Sequence, residues 1–290
     1  MGFFDEEETE ATGEPVKVAT DRSVVFDIET GPLPLEQLKS ILPGWDADSV
    51  GPAPPAEFDD TKVRLGRLKD ADKIAQKIEA ERQKHHKALA DYEKRLETGE
   101  VDYWAEALDK APLSPVTGVP LAVGYTADGE HVEIVSDEPE HIVSDFFRRF
   151  SAVASQGKHL VGWNIKNFDV WFLWVWACRL DLQPPNILDR NFKWLSPVFV
   201  DLMDVWDLGG MHFDPVGKSK KGAKSKKGAK AKDVARYLGV ARPEEEQDLD
   251  GSDFHRLWNS GDMLDKQQAK TYLEWDCKEE WAIARKFGVV

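Results

Sequence analysis

The sequence predicts an α/β fold, a mixed five-stranded sheet with helices on both faces, interrupted by an inserted charged helical arm. Three observations predict it: short apolar runs of strand length, an Asp128-Gly129 hairpin signal joining two of them, and alternating helical and strand-like stretches after the hairpin.

The first strand is Ser23-Val-Val-Phe26, a β-branched apolar run suited to the centre of a sheet, ending in Asp27-Ile28-Glu29-Thr30-Gly31-Pro32. The chain then turns rich in proline, glycine and acid, and residues 61–97 read as a long charged helix whose apolar positions, such as Ile74, Ile78, Leu89 and Leu96, are sparse. This arm, residues 33–115, is expected to be an insertion. Its helix carries eleven basic and seven acidic side chains, so it is locally positive in an acidic protein. A solvated helix packing one thin stripe is the plainer reading of it, and a nucleic-acid arm the sharper one.

Leu121–Thr126 and His131–Val135 are expected to pair as antiparallel strands around a two-residue turn. Residues 139–155 suit a helix, His159–Trp163 a fourth strand, Phe168–Leu180 an aromatic helix, and Val198–Leu202 a fifth strand. Residues 216–232 follow, with eight lysines between 218 and 232 among Gly, Ala and Ser; without core-forming residues they should be a flexible loop. Two or three helices between about Asp233 and Phe287 close a domain spanning 21–290, and the acidic tail over 1–20 cannot bury enough surface to order itself.

Composition excludes some functions. No apolar run approaches the roughly 18 residues of a spanning helix, so no membrane insertion is expected. The amino terminus has no basic region or cleavable apolar stretch, which implies a cytoplasmic, soluble protein. Cys178 and Cys277 form no metal-binding cluster, and both are expected to be reduced core residues. With 38 basic and 53 acidic residues the net charge is -15, the wrong sign for gripping duplex nucleic acid with a basic face. That objection weakens for an enzyme holding a few nucleotides through divalent cations, which themselves neutralise phosphate.

Asp27 and Glu29 alternate at the end of the first strand, so both point to one face of the sheet and repel unless something positive lies between them. Asp169 opens the aromatic helix, after Gly162-Trp163-Asn164-Ile165-Lys166-Asn167-Phe168. Tyr272 and Asp276 share one face of the last helix. Taken singly, each is weak. An Asp-x-Glu is commonly a strand end meeting solvent, Asp169 could do no more than complement a helix dipole, and Tyr272 and Asp276 could be surface neighbours. Trp171, Trp174 and Trp176 are more readily core than base-stacking platforms.

Together and in this order, Asp-x-Glu, Asn-x-x-x-Phe-Asp and Tyr-x-x-x-Asp resemble the three motifs of the DEDDy 3′-to-5′ exonucleases, which have a ribonuclease H-like fold. Val200-Asp201-Leu202-Met203-Asp204, Val234-Ala235-Arg236-Tyr237-Leu238-Gly239 and Asp250-Gly251-Ser252 resemble segments of bacterial and phage exonucleases akin to the proofreading domain of family-B DNA polymerases. The similarity covers residues 22–33 and 115–288. A histidine one position before Tyr272 would mark the sister DEDDh branch, and Thr271 stands there. The arm and the lysine-rich stretch depart from a minimal exonuclease.

The resemblance implies catalytic roles for Asp27, Glu29, Asp169, Tyr272 and Asp276. Asp27, Glu29, Asp169 and Asp276 would hold two Mg²⁺ or Mn²⁺ ions, with Tyr272 orienting the attacking water. It implies substrate contacts from Ile28, Thr30, Asn164, Phe168 and Tyr272, a single-stranded DNA 3′ end as partner, and a monomer. A ribonuclease-D-like enzyme acting on RNA stays open, because the contacts that read a 2′-hydroxyl are not encoded in these motifs. So does an inactive nucleic-acid-binding or scaffold domain of the same fold.

Overall fold

In a computed structural model of the chain, the described residues are 23–46, 55–66, 70–136, 138–187, 195–207, 229–243, 249 and 251–290. The predicted acidic tail and most of the lysine-rich stretch, residues 216–228, lie outside them. The described residues fall into two compact units, one drawn from 23–29 and 120–290 and the other from 30–119.

The first unit is built on a mixed sheet of five strands, β1 (Val24–Pro32), β2 (Gly118–Thr126), β3 (Glu133–Val135), β4 (Leu160–Gly162) and β5 (Phe199–Asp201), in the order β3-β2-β1-β4-β5. β1 is central and parallel to β4, with Val24 opposite Leu160 and Val25 opposite Val161. β4 is in turn parallel to β5, and β2 is antiparallel to β3. β1 is longer than its apolar run predicts and carries Asp27-Ile28-Glu29 inside the strand. β4 stops at Gly162, so the two acidic residues lie beyond the end of their parallel neighbour, where a crevice opens in α/β sheets.

Alternation along β1 distributes its side chains between two apolar layers. Phe26 faces α3 (Pro139–Ser155), its ring 5.2 Å from Phe146, which in turn stacks at 6.5 Å on Phe199. Val25 faces the opposite layer, packing with Val161, Leu202, Val234, Ile283 and Ala284. Asp27 and Glu29 share the parity of Val25, so they point toward that second layer. It contains α5 (Leu202–Trp206), α6 (Ala231–Leu238) and α8 (Met263–Lys286). α7 (Gly251–Trp258) packs on α8 through Phe254 and Leu257, beside Ala269, Tyr272 and Leu273. α4 (Asp169–Arg179) packs on α3.

In the first unit three expectations are corrected. The β2–β3 connection runs from 127 to 132 and is not a two-residue turn. The Asp128 carboxylate accepts the backbone N–H groups of Glu130 and His131 at 2.8 Å each, which draws those residues out of the ladder. Gly129 sits at φ 77°, where an added Cβ would lie 2.3 Å from the Trp281 ring. Cys178 is exposed, and only Cys277 is buried. Ala231 and Lys232, expected to belong to the flexible stretch, form the first turn of α6.

The second unit contains α1 (Leu35–Ile41) and the 40-residue α2 (Ala71–Lys110), about 60 Å long at 1.5 Å per residue. α2 starts later than predicted, because Asp70 caps it by accepting from Asp72 and Lys73 N–H. Here Arg82 forks Asp60 at 2.9 and 3.0 Å, and the Tyr103 hydroxyl donates to the Pro43 carbonyl at 2.7 Å.

Candidate active site

Asp27, Glu29 and Asp276 converge, with one carboxylate oxygen from each lying within 4.8 Å of the others. β1 supplies the first two through its period of two, and α8 brings the third across from the facing layer. α8 is capped by Asp262, which accepts Leu264 N–H at 2.7 Å, and its cationic last turn, Arg285 and Lys286, suits the helix dipole. Asp169, in the first turn of α4, is buried and accepts the Ile28 N–H at 3.3 Å, tying it to the strand between the two β1 acids.

These residues line one cavity of about 550 Å³, together with Ile28, Asn164, Phe168 and Tyr272. Thr30 is not among its lining residues. Its side chain is buried in the second unit, with the hydroxyl donating to the Pro112 carbonyl at 2.8 Å. Of the aromatic helix, Trp176 is buried, whereas Trp171 and Trp174 are exposed.

The loop joining β4 to α4 is held by Asp201, at the end of β5. Its carboxylate accepts the N–H groups of Asn164 at 2.8 Å, Lys166 at 3.0 Å and Met203 at 3.0 Å. That grip keeps Asn164 at φ 61°, a left-handed conformation asparagine tolerates, and sets the angle at which α4 presents Asp169.

Motif reading did not single out three charged side chains that also line the cavity, Lys232, Glu279 and Glu280, nor Arg242, which pairs with the cavity residue Asp276. Glu280 follows Asp276 by one helical turn, a spacing legible in sequence once Tyr272 and Asp276 are placed on a face. Its carboxylate accepts Trp163 N–H at 3.2 Å. Lys232 donates to the Leu249 carbonyl at 2.8 Å and lies 5.1 Å from the Tyr272 ring centre. Arg242 has no local signature at all, since only the fold brings it to α8.

Crowding acids in a desolvated place disfavours their charged forms. Burial, then the charges of Asp169 and Asp276, push Asp27 well above the usual carboxylate range. Burial followed by Asp27 and Asp276 does the same to Glu29, and burial followed by Asp27, Asp169 and Asp276 to Glu280. Burial raises Asp169 to about 7. Asp276 is raised by burial against the opposing pull of Arg242. An all-oxygen donor set whose members repel one another is the chemistry of a hard divalent cation site, so these residues fit Mg²⁺ or Mn²⁺.

Each raised carboxyl binds protons more tightly in the folded chain than in the unfolded one. Its contribution is therefore fully present below its unfolded value and lost as pH rises through its folded value, a window from 3.8 to about 7 for Asp169. The thermal midpoint without metal is expected to fall between about pH 5 and about pH 8, and millimolar Mn²⁺ at the upper pH to restore it. A midpoint that rises over this interval in chelator, or that ignores Mn²⁺, contradicts the site.

Residues 111–287 match the family model described as the RNase_H superfamily. No curated protein matches the sequence. Among solved structures, the chain is similar to the family B DNA polymerase from the hyperthermophilic archaeon Pyrobaculum calidifontis, at 20% identity and a TM-score of 0.44. That alignment covers 61% of this chain and 23% of the polymerase, so the chain spans about a quarter of the polymerase's length.

Proposed function

The chain belongs to the RNase H superfamily, whose members are typically metal-dependent nucleases, and from that premise we propose that it is a 3′-to-5′ exonuclease of the DEDDy type acting on single-stranded DNA. The observation that carries this reading is the convergence of Asp27, Glu29 and Asp276 oxygens within 4.8 Å, with Asp169 hydrogen-bonded to the intervening Ile28 N–H. These side chains come from three separated segments, and their mutual repulsion gives them no structural benefit unless a cation relieves it.

Asp27, Glu29 and Asp276 would hold one ion, and Asp169 with Asp27 a second. When bound, two such ions supply charge relief to the phosphate and lower the pKa of the attacking water. The other functional groups act from the walls. Burial, then the negative charges of Asp276 and Glu29, push the Tyr272 phenol far above its ordinary pKa, so it stays protonated and orients an oxygen as a donor, not as a base. Ile28 and Phe168 give the cavity apolar walls against which a terminal nucleotide would pack, and Asn164 is a polar group beside them. The product would be a nucleoside 5′-monophosphate.

The test is digestion of single-stranded DNA labelled at either end, in Mg²⁺ and in chelator. A 3′ label is expected to be released at once as mononucleotide, a 5′ label to remain on progressively shorter strands, and chelator to stop both. A matched RNA strand degraded faster would reassign the substrate to RNA 3′ ends. DNA and RNA both left intact in Mg²⁺ and in Mn²⁺ would return the chain to an inactive binding role.

A further inference from the structure

We propose that Arg242 is a positioning residue and built-in counter-charge for the carboxylate cluster, holding Asp276 in place before any divalent ion binds and weakening the ion's hold once it does. The inference rests on the nuclease reading above and concerns the same site.

Arg242 follows α6, whose carboxyl end is closed by Gly239 in the left-handed conformation, and the chain there returns toward α8. Its side chain is almost fully buried. One terminal nitrogen, Nη2, donates both to Asp276 and, at 2.9 Å, to Glu279. Nε donates to the same Glu279 oxygen at 3.3 Å, and the Arg242 backbone N–H donates to the other at 3.0 Å. Glu279 therefore fixes both the backbone and the head of Arg242, and Arg242 passes that placement on to Asp276. The guanidinium carbon also lies 5.4 Å from the Tyr272 ring centre, so one planar cation contacts both site residues of α8.

Geometry and charge act in opposite directions on the metal. Orientation of Asp276 favours binding, as partners of metal-holding groups generally do. A fixed positive charge on the same carboxylate opposes it, and in a desolvated site the repulsion between a monocation and a dication sharing one carboxylate is the larger effect. Removing Arg242 should thus loosen the metal-free protein and tighten its dependence on metal, while catalysis suffers because Asp276 and Tyr272 lose their common brace.

Three variants of the full chain, R242Q, R242K and the double variant R242Q/E279Q, test this. R242Q leaves Glu279 buried without its partner, and the double variant removes that fault so that a folded protein carries the comparison. The readouts are the thermal midpoint in chelator, its increment on adding Mn²⁺, and kcat and KM on single-stranded DNA. For R242Q and the double variant the expected results are a larger Mn²⁺ increment than wild type and a kcat lowered by about ten- to a hundredfold with KM little changed. R242K, which restores the charge without the fork, should recover the wild-type increment and only part of kcat. A Mn²⁺ increment equal to a positive wild-type increment in both R242Q and the double variant overturns the role of Arg242 and leaves the metal site standing. Absence of any increment in wild type overturns the metal site and this inference together.

Discussion

Replacing Asp27 by Asn is expected to abolish nuclease activity and, in the same protein, to raise the thermal midpoint measured in chelator. The two effects have one cause. Asp27 sits where burial and the charges of Asp169 and Asp276 all disfavour its ionised form, so in the absence of a cation its carboxylate is a burden on the folded state. Asparagine has nearly the same volume, carries no charge, and offers an amide donor to neighbouring carboxylates that have few donors. A gain of about 1 kcal/mol would raise the midpoint by about 2–4 °C in a domain of this size. With the carboxylate proposed to be shared by both ions neutralised, the cluster would lose its ability to gather divalent charge, and a loss of several kcal/mol of transition-state stabilisation is about a thousandfold or more in rate. Midpoints in chelator and initial rates on 3′-labelled DNA measure both. A D27N protein that retains wild-type turnover removes Asp27 from the reaction, and one that is markedly less stable in chelator removes the electrostatic argument.

The second large effect is expected from Gly162→Ala, a substitution at a residue with no side chain in the carboxylate cluster, yet one packed beside it: an added Cβ would lie 3.3 Å from a Glu280 carboxylate oxygen. Gly162 ends β4 against β1. A Cβ there would lie 2.5 Å from Ile165 Cγ2 and 2.6 Å from the Phe26 carbonyl oxygen. The second contact is with backbone of the central strand, which has no rotamer to change, so the strands must move apart next to Asp27. The cost should fall near the upper end of the overpacking range, about 3 kcal/mol, more than a hundredfold in the folding equilibrium. Activity should fall too, because the displaced segment carries Asp27. Urea denaturation reads the effect as a lowered midpoint at unchanged slope. An alanine variant with the wild-type midpoint would show that β1 and β4 are not held at this distance.

Much of this molecule could be read from the chain alone because its signals are local. The apolar run before Asp27, the alternation of Asp27 with Glu29, the four-residue spacing of Tyr272 and Asp276, and the placement of Asp169 in the first turn of an aromatic helix all follow from the periods of strand and helix. Where local reading failed, a longer-range partner or a side-chain hydrogen bond had intervened. The Asp128 carboxylate took backbone donors that a tight hairpin would have kept, and β1 ran on past Phe26 through residues whose polarity alone would have ended it.

By itself, then, the sequence determined the α/β order of elements and the candidate acidic residues, since periodicity, capping and turn chemistry act over a few positions and need no knowledge of distant chain. Only the tertiary structure decided how far the acids are desolvated, that Asp201 clamps the loop leading to Asp169, that Thr30 turns away to Pro112, and that Arg242 and Lys232 join the cluster. Charge interactions between residues scores of positions apart depend on distance and burial, and those quantities exist only once the sheet and its covering helices have packed.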